Sequence, residues 1–398
     1  MNPHPTTSRA GFVAALCLGQ ALLMPSAQAQ SDNFNDGNDT GWTRYTPLAP
    51  FGAGGTHAIV DGSYRLTAPA SPNPDFLGPA RIGSLFPNAN FNRAQVEVDI
   101  FDWNTALTQS VGVFARASDL GLGTTTGYTY NYNVVSGFHQ INMVLNEAAS
   151  RVVNESLYPL NPDHRYRMVF TATGNQFLGR LYSATNSTVP IRSLFGTDDT
   201  HASGRSGVFV FAINVTHGLD TRFDNYVAST PAQVRSTFMD ATPAVGEIPT
   251  EPVASIVVRL AQVETTLQTD SIRLTIDGQA VTTEVTEFDS VVTVGHTPTT
   301  PLDPTKPHQA TLRVSDELGE QTFTWEFGTP AAVTPMLFAA TNLQEAFQPE
   351  ANAVLDATSK RFTAPVVGNQ RFYRIQDAAQ RTLKSVTLVG NNVQIAFE

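Results

Sequence analysis

The amino-acid sequence predicts an all-β protein made of sandwich units in series, and three observations carry that expectation. Short runs rich in Val, Ile, Phe and Tyr alternate with a period of two, as in Val96-Glu97-Val98-Asp99-Ile100 and Tyr128-Thr129-Tyr130-Asn131-Tyr132-Asn133. Clusters of Gly, Asn, Asp and Pro fall between the runs, where turns need positive φ or side chains that cap the backbone. Between Phe34 and Val227 no segment sustains the 3.6-residue apolar stripe of an amphipathic helix, and only a short amphipathic stretch is expected elsewhere, near Leu343-Gln344-Glu345-Ala346-Phe347.

The chain of 398 residues opens with Arg9 in a short polar start, an apolar run from Gly11 to Met24, and Pro25-Ser26-Ala27-Gln28-Ala29. Small residues at Ala27 and Ala29 suit signal peptidase, so residues 1–29 are expected to be a cleaved signal peptide. The apolar run is shorter than the roughly 20 residues that span a bilayer, which leaves no membrane span after cleavage and an envelope or extracellular destination. The single Cys, Cys17, lies in this leader, so no disulfide framework is available and burial must hold the exported part together. A formal net charge of −11 with no clustered Lys/Arg run argues against nucleic acid and anionic membranes, both of which select basic patches. Neutral partners such as glycans or other surface polymers remain.

Residues 31–229 form the first unit. Strands are expected around Tyr64-Arg65-Leu66, Val96–Ile100, Val111-Gly112-Val113-Phe114-Ala115, Met168-Val169-Phe170 and Val208-Phe209-Val210-Phe211, with turns at Asp61-Gly62, Gly121-Leu122-Gly123, Thr173-Gly174-Asn175 and Ser203-Gly204. Pro231, Pro243, Pro249 and Pro252 mark an extended linker over 230–252. A second unit, 253–329, has strand runs from Ile256 to Leu260, Ile272 to Ile276, Val291 to Val294, Ala310 to Val314 and Gln321 to Phe327, with a hairpin signal at Asp277-Gly278. Residues 330–398 form a small third β-unit ending in a hairpin around Gly390-Asn391-Asn392.

Two matching segments frame the first unit: Asp32-Asn33-Phe34-Asn35-Asp36-Gly37 running to Gly41-Trp42, and Arg222-Phe223-Asp224-Asn225-Tyr226. The stretch between them resembles the concanavalin A-like lectin/glucanase jelly rolls, of the LamG-like kind, found in secreted bacterial proteins. Ser271–Val281, His308–Glu320 and Phe323–Phe327 resemble the immunoglobulin-like modules that act as spacers in such proteins. Arg371-Phe372-Tyr373-Arg374-Ile375 is similar to a small terminal β-module of the same proteins.

Three constellations are candidate sites. The first is Glu97-Val98-Asp99-Ile100-Phe101-Asp102. Glucanases of the resembled fold carry Glu-x-Asp-x-Glu or Glu-x-Asp-x-x-Glu on one strand, and the resemblance implies Glu97 as nucleophile, Asp99 as its helper and Asp102 as acid/base. Retaining hydrolysis needs two carboxyls about 5–5.5 Å apart, and residues two apart on a strand share a face. Asp102 departs from that pattern, being a methylene shorter than Glu, and a structural strand with a polar face gives the same alternation. The second is the tyrosine run, whose alternation puts Tyr128, Tyr130 and Tyr132 on one face, with Arg116 and His139 on neighbouring strands. Aromatic rings stack on the apolar face of a pyranose, although packing inside the sandwich is the competing reading. The third is Asp32, Asp36 and Asp224, which come together as candidate Ca²⁺ ligands if the first and last strands of the unit run side by side, and which are also good turn and cap residues. Apart from such a structural Ca²⁺, no cofactor is expected.

The sequence is therefore read as an exported, non-catalytic, adhesion-type protein. A lectin-like sandwich binds carbohydrate or another surface polymer and is carried on an immunoglobulin-like spacer. A glucanase-type hydrolase acting through Glu97 and Asp102, or a purely structural envelope component, are the alternatives.

Overall fold

A computed structural model describes residues 30–86, 90–153, 156–184, 189–329, 336–342, 347–356, 359–368, 371–376 and 383–397; the leader expected over 1–29 and residues 343–346 of the expected amphipathic stretch lie outside them. Within these residues the protein is all-β, with one single-turn α-helix, Pro74–Leu77, and one 3-10 turn, Ala49–Phe51.

The first unit is an antiparallel jelly-roll sandwich of two eight-stranded sheets. The first sheet runs Arg192–Thr197, Gln176–Ser183, Tyr166–Thr173, Ala94–Phe101, Leu219–Ser229, Ser63–Ala68 and Thr56–Val60, with Gln30–Asp32 added beside Leu219–Ser229. The second runs Ala148–Arg151, Phe138–Leu145, Thr126–Asn133, Gln109–Ser118, Arg205–Ala212, Arg81–Leu85 and Thr43–Tyr45, with Ser156–Leu157 on Phe138–Leu145. Alternation decides what faces inward: Val96, Val98 and Ile100 from the first sheet meet Val111, Val113, Val208 and Val210 from the second in one core.

The two framing segments close this sandwich. Asp32 pairs with Tyr226 across the ladder, and Phe34, Trp42, Tyr64, Phe86 and Tyr226 form an aromatic cluster beneath the seam, with Trp42 set edge-on to Tyr226 at 4.7 Å between ring centroids. The Trp42 Nε1–H donates to Asp32 at 2.8 Å, so the indole is anchored at its polar end as well as packed at its apolar one.

The second unit pairs two four-stranded sheets, Thr237–Thr242, Ile256–Ala261, Val291–His296, Glu284–Phe288 and Gln279–Val281, Gln268–Ile276, Pro307–Asp316, Gly319–Gly328. The Asp277-Gly278 turn is the tight hairpin its sequence signals: both residues have positive φ, 51° and 79°, and Ile276 faces Gln279. One expectation needs correction. Residues 230–252 are not all linker, because Thr237–Thr242 pairs with Ile256–Ala261 and Phe238 is fully buried in the second core. Prolines on both sides of 237–242 hide that short strand from a composition reading.

The third unit has a three-stranded sheet around Met336–Ala340 and a four-stranded sheet ending in the hairpin of Leu383–Val389 and Asn392–Phe397, over a small core of Leu337, Phe362, Ala364, Val393, Ile395 and Phe397.

Candidate ligand-binding groove

The tyrosine strand alternates as its sequence requires, but its two faces are the reverse of a binding platform. Tyr128, Tyr130 and Tyr132 are at most 1% exposed and point into the core of the sandwich. Tyr128 donates to Asp198 at 2.5 Å, and the Tyr132 hydroxyl accepts the Leu160 N–H at 2.9 Å. The Tyr130 ring lies against the backbone of Gly179, where even a Cβ would come within 2.7 Å of it. His139 is buried with them, stacked on Tyr132 at 4.9 Å, and burial pushes its pKa down to about 4. Arg116 turns inward too. Its φ of 52° sits at a bulge, and its guanidinium lies 5.2 Å from the Phe177 ring while donating to the carbonyls of Asn92 and His201. None of these five side chains forms a sugar-stacking surface. Three phenyl rings of this size bury more apolar area than Thr and Asn, so the core takes them.

The carboxylates of the glucanase-like run have separate jobs. Glu97 and Asp99 do share the outer face of the first sheet. Asp99 is nevertheless covered, accepting from Arg167 Nε at 2.9 Å and from Asn225 Nδ2 at 2.8 Å, with Arg165 at 3.7 Å. Asn225 adopts φ 50° at the bulge in Leu219–Ser229, and Asp99 pins that bulge. Glu97 accepts from Gln95 at 2.8 Å. Asp102 lies beyond the strand end in left-handed conformation, exposed and paired with Arg222 at 3.0 Å. The turn after Phe101 thus breaks the strand register that an acid/base partner for Glu97 requires.

The three candidate Ca²⁺ ligands are each engaged locally. The framing strands do run side by side, but Asp32 accepts from the Phe34 N–H and Trp42, Asp36 caps Asn38, and Asp224 pairs with Arg165 at 2.6 Å. Each carboxylate serves its own turn or ion pair, and among the described residues no three His, Cys, Asp or Glu side chains converge to hold a metal ion.

The chemically suggestive surface is the outer face of the second sheet. There Phe114, Phe209 and Phe211 stand side by side, Phe114 and Phe209 4.5 Å apart and Phe209 stacked on Phe211 at 5.9 Å between centroids. They floor a groove of about 460 Å³, within the range of small-ligand sites, lined also by Val144, Ala149, Leu122, Phe76, Leu77 and Pro79. Phe76, carried by the helix Pro74–Leu77, is 78% exposed at the lip.

Polar groups bound the same groove. Thr129 faces Phe114 on one neighbouring strand and Asn142 on the next. Both are anchored on Asn131, whose Oδ1 accepts from Asn142 Nδ2 at 2.8 Å and from Thr129 at 3.3 Å, and whose Nδ2 donates to Ser110 at 2.8 Å. Also lining the groove, Arg81 forks onto Glu147 with bonds of 2.7 and 2.6 Å, while Tyr45 and the Gly123 N–H also donate to that carboxylate. Burial pushes the Glu147 pKa up, but these donors outweigh it and leave it below the usual carboxylate range. The carboxylate is fixed as an anion.

Sequence reasoning passed over this face although a signal for it exists. Val208-Phe209-Val210-Phe211 is apolar at both parities, so one of its two faces must present large rings outside the core. Glu147, in contrast, lies in a turn with Asn146, both at positive φ, and reaches Arg81 from 66 residues away in sequence, which no local pattern announces.

Neither a protein-family model nor a curated protein sequence matches the chain. Among solved structures it is similar to a carbohydrate-binding module, CBM66, from Bacillus subtilis, with 18% identity over 48% of this chain and 96% of that one and a TM-score of 0.36. It is similar to a prokaryotic β-1,3-1,4-glucanase (lichenase) from a mouse hindgut metagenome, with 13% identity over 51% of this chain and 99% of that one and a TM-score of 0.35. It is also similar to lectin II from Ulex europaeus, with 8% identity over 51% of this chain and 97% of that one and a TM-score of 0.32. None of these likenesses, at such identities and scores, says what this chain binds.

Proposed function

We propose that the first sandwich is a non-catalytic glycan-binding module of an exported protein, and that its ligand lies in the groove on the outer face of the second sheet. The observation that carries this reading is the placement of the Phe114–Phe209–Phe211 floor directly beside the Thr129–Asn142 pair. Aromatic faces take the C–H face of a sugar ring and hydroxyl or amide groups take its polar edge, a division of labour that suits a neutral ligand and an acidic protein. The second sandwich, with its two four-stranded sheets, is read as an immunoglobulin-like spacer, and the leader sequence supports export.

The test is affinity electrophoresis of the full chain through gels containing neutral polysaccharides, with Phe76→Ala and Phe211→Ala beside wild type. Phe76 is exposed and Phe211 only partly buried, so both variants are expected to fold. Retardation by at least one polymer, weakened in both variants, is the expected result. No retardation by any polymer, or equal retardation of wild type and variants, would refute the groove as a glycan site.

A further inference from the structure

Most polar groups around the groove are already committed to one another. Glu147 takes four donors: two from Arg81, one from Tyr45 and one from the Gly123 N–H. Arg81 spends Nη1 on the carbonyls of Leu77 and Pro79 at 2.9 and 2.7 Å. Thr125 bonds Tyr45 and the Gly121 carbonyl. Asn131 is saturated by Ser110, Gln140, Thr129 and Asn142.

Among the described residues, free capacity facing the floor is concentrated at Asn142, which has one amide N–H beyond the one given to Asn131 and its Oδ1, with the Thr129 oxygen next to it. A fully hydroxylated ring seated here would lose water from several hydroxyls and regain few partners, at a penalty for each one left unpaired. The groove asks instead for a ligand with an apolar tip and one polar group a few ångströms behind it. Phe114, Thr129 and Asn142 lie in one cross-strand row, on strands about 4.8 Å apart.

An acetyl group has that shape. We infer that the groove selects sugars bearing an acetyl substituent, its methyl lying on Phe114 and Phe209 and its carbonyl oxygen accepting the free N–H of Asn142. N-acetyl and O-acetyl sugars share this chemistry, and an N-acetyl group adds an N–H that the Thr129 oxygen or Asn142 Oδ1 can accept. The inference rests on the glycan reading of the same groove but goes further than it.

Two ligand pairs, each neutral and each differing only in the substituent, test it by titration calorimetry on the full chain. One is chitohexaose against cellohexaose; the other is acetylated xylan against the same xylan after alkaline deacetylation. Loss of a buried methyl contact and one hydrogen bond predicts binding weaker by about tenfold or more for the member without acetyl. Preference in the first pair alone assigns the N-acetyl form, in the second alone the O-acetyl form, and either supports the inference. Equal binding within both pairs, or retention only on other glycans, overturns the acetyl inference and leaves glycan binding standing; no binding to any glycan overturns both. Asn142→Ala is expected to abolish the preference while sparing residual binding; should it fail to fold, the ligand pairs decide alone.

Discussion

Replacing Asp99 with Asn separates a structural carboxylate from a catalytic one. The Asp99 carboxylate is almost wholly buried, accepts from Arg167 and Asn225, and lies near Arg165. Asn keeps the shape and can still accept from Arg167, but its new amide hydrogens then face the Asn225 Nδ2–H donor, leaving a donor opposed to a donor. Breaking a fully buried ion pair by removing one partner costs about 3–5 kcal/mol. Here Arg167 and Arg165 are each 37% exposed, so water takes up part of their charge and the expected cost falls to about 2–3 kcal/mol, close to that of a charge-assisted hydrogen bond. For a unit of about 200 residues this lowers the melting temperature by roughly 4–12 °C. Thermal denaturation followed by near-ultraviolet circular dichroism measures it, with Glu97→Gln as the companion. Glu97 is half-buried and bonds only Gln95 among the described residues, so its amide should cost no more than about 0.5 kcal/mol. An Asp99→Asn protein with unchanged melting, together with reducing-sugar release from β-glucan that disappears in Glu97→Gln, would refute the structural assignment and restore the hydrolase reading.

Two further outcomes follow from buried polar groups. The Tyr130 hydroxyl is buried with no hydrogen-bond partner among the described residues, so Tyr130→Phe should raise stability by about 1 kcal/mol in urea denaturation and leave glycan retention unchanged; lost retention would mean that the tyrosine face is a binding face after all. At the joint between the sandwiches, the Arg93 guanidinium, opposed by partial burial and helped by the Val234 N–H and Thr173, holds Glu264 down to about 2 from its ordinary 4.5. The folded-state value is the lower one, so this stabilisation, no more than about 3 kcal/mol, is complete above pH 4.5 and is lost as pH falls toward 2. The melting difference between wild type and Glu264→Gln should shrink across that window, and a difference constant from pH 7 to 3 would contradict it.

Strand positions were legible because period two is imposed by the backbone itself, and the Asp277-Gly278 turn because its two positive φ values demand those residues. The pairing of the framing segments was legible as well. Which face of a strand lies inside was not, since alternation is symmetric until a partner sheet is supplied: Tyr128, Tyr130 and Tyr132 satisfy the pattern equally well inside or outside. Asp102 was misplaced for a related reason. Three residues beyond Asp99, it shares that carboxylate's face only if a bulge intervenes within the strand, and the strand instead ends at Phe101 with Asp102 at φ 49°.

The joint supplies what alternation lacks. Thr173, Leu178, Ser193 and Phe195 all project from the outer face of the first sheet. Thr173 bonds Glu264, Ser193 bonds the Phe238 carbonyl, and Leu178 and Phe195 pack on Val234 and Val263. One edge of that face is therefore occupied by the second sandwich, while Asp99 with its arginines ties down the middle. Glu97 sits between these two, on a sheet whose outward side chains are largely committed to holding the protein together. The second sheet carries no such attachment among the described residues, and the rings it leaves facing outward, Phe114, Phe209 and Phe211, contribute nothing to the joint or to the main core of the sandwich. Phe114 and Phe209 are buried at the bottom of the groove, packed with Leu85 and Ala117, so the apolar surface open to solvent is the partly buried Phe211 and Phe76 at the lip. With the second sandwich attached to the first sheet, the second sheet is the face on which the proposed ligand is to be tested.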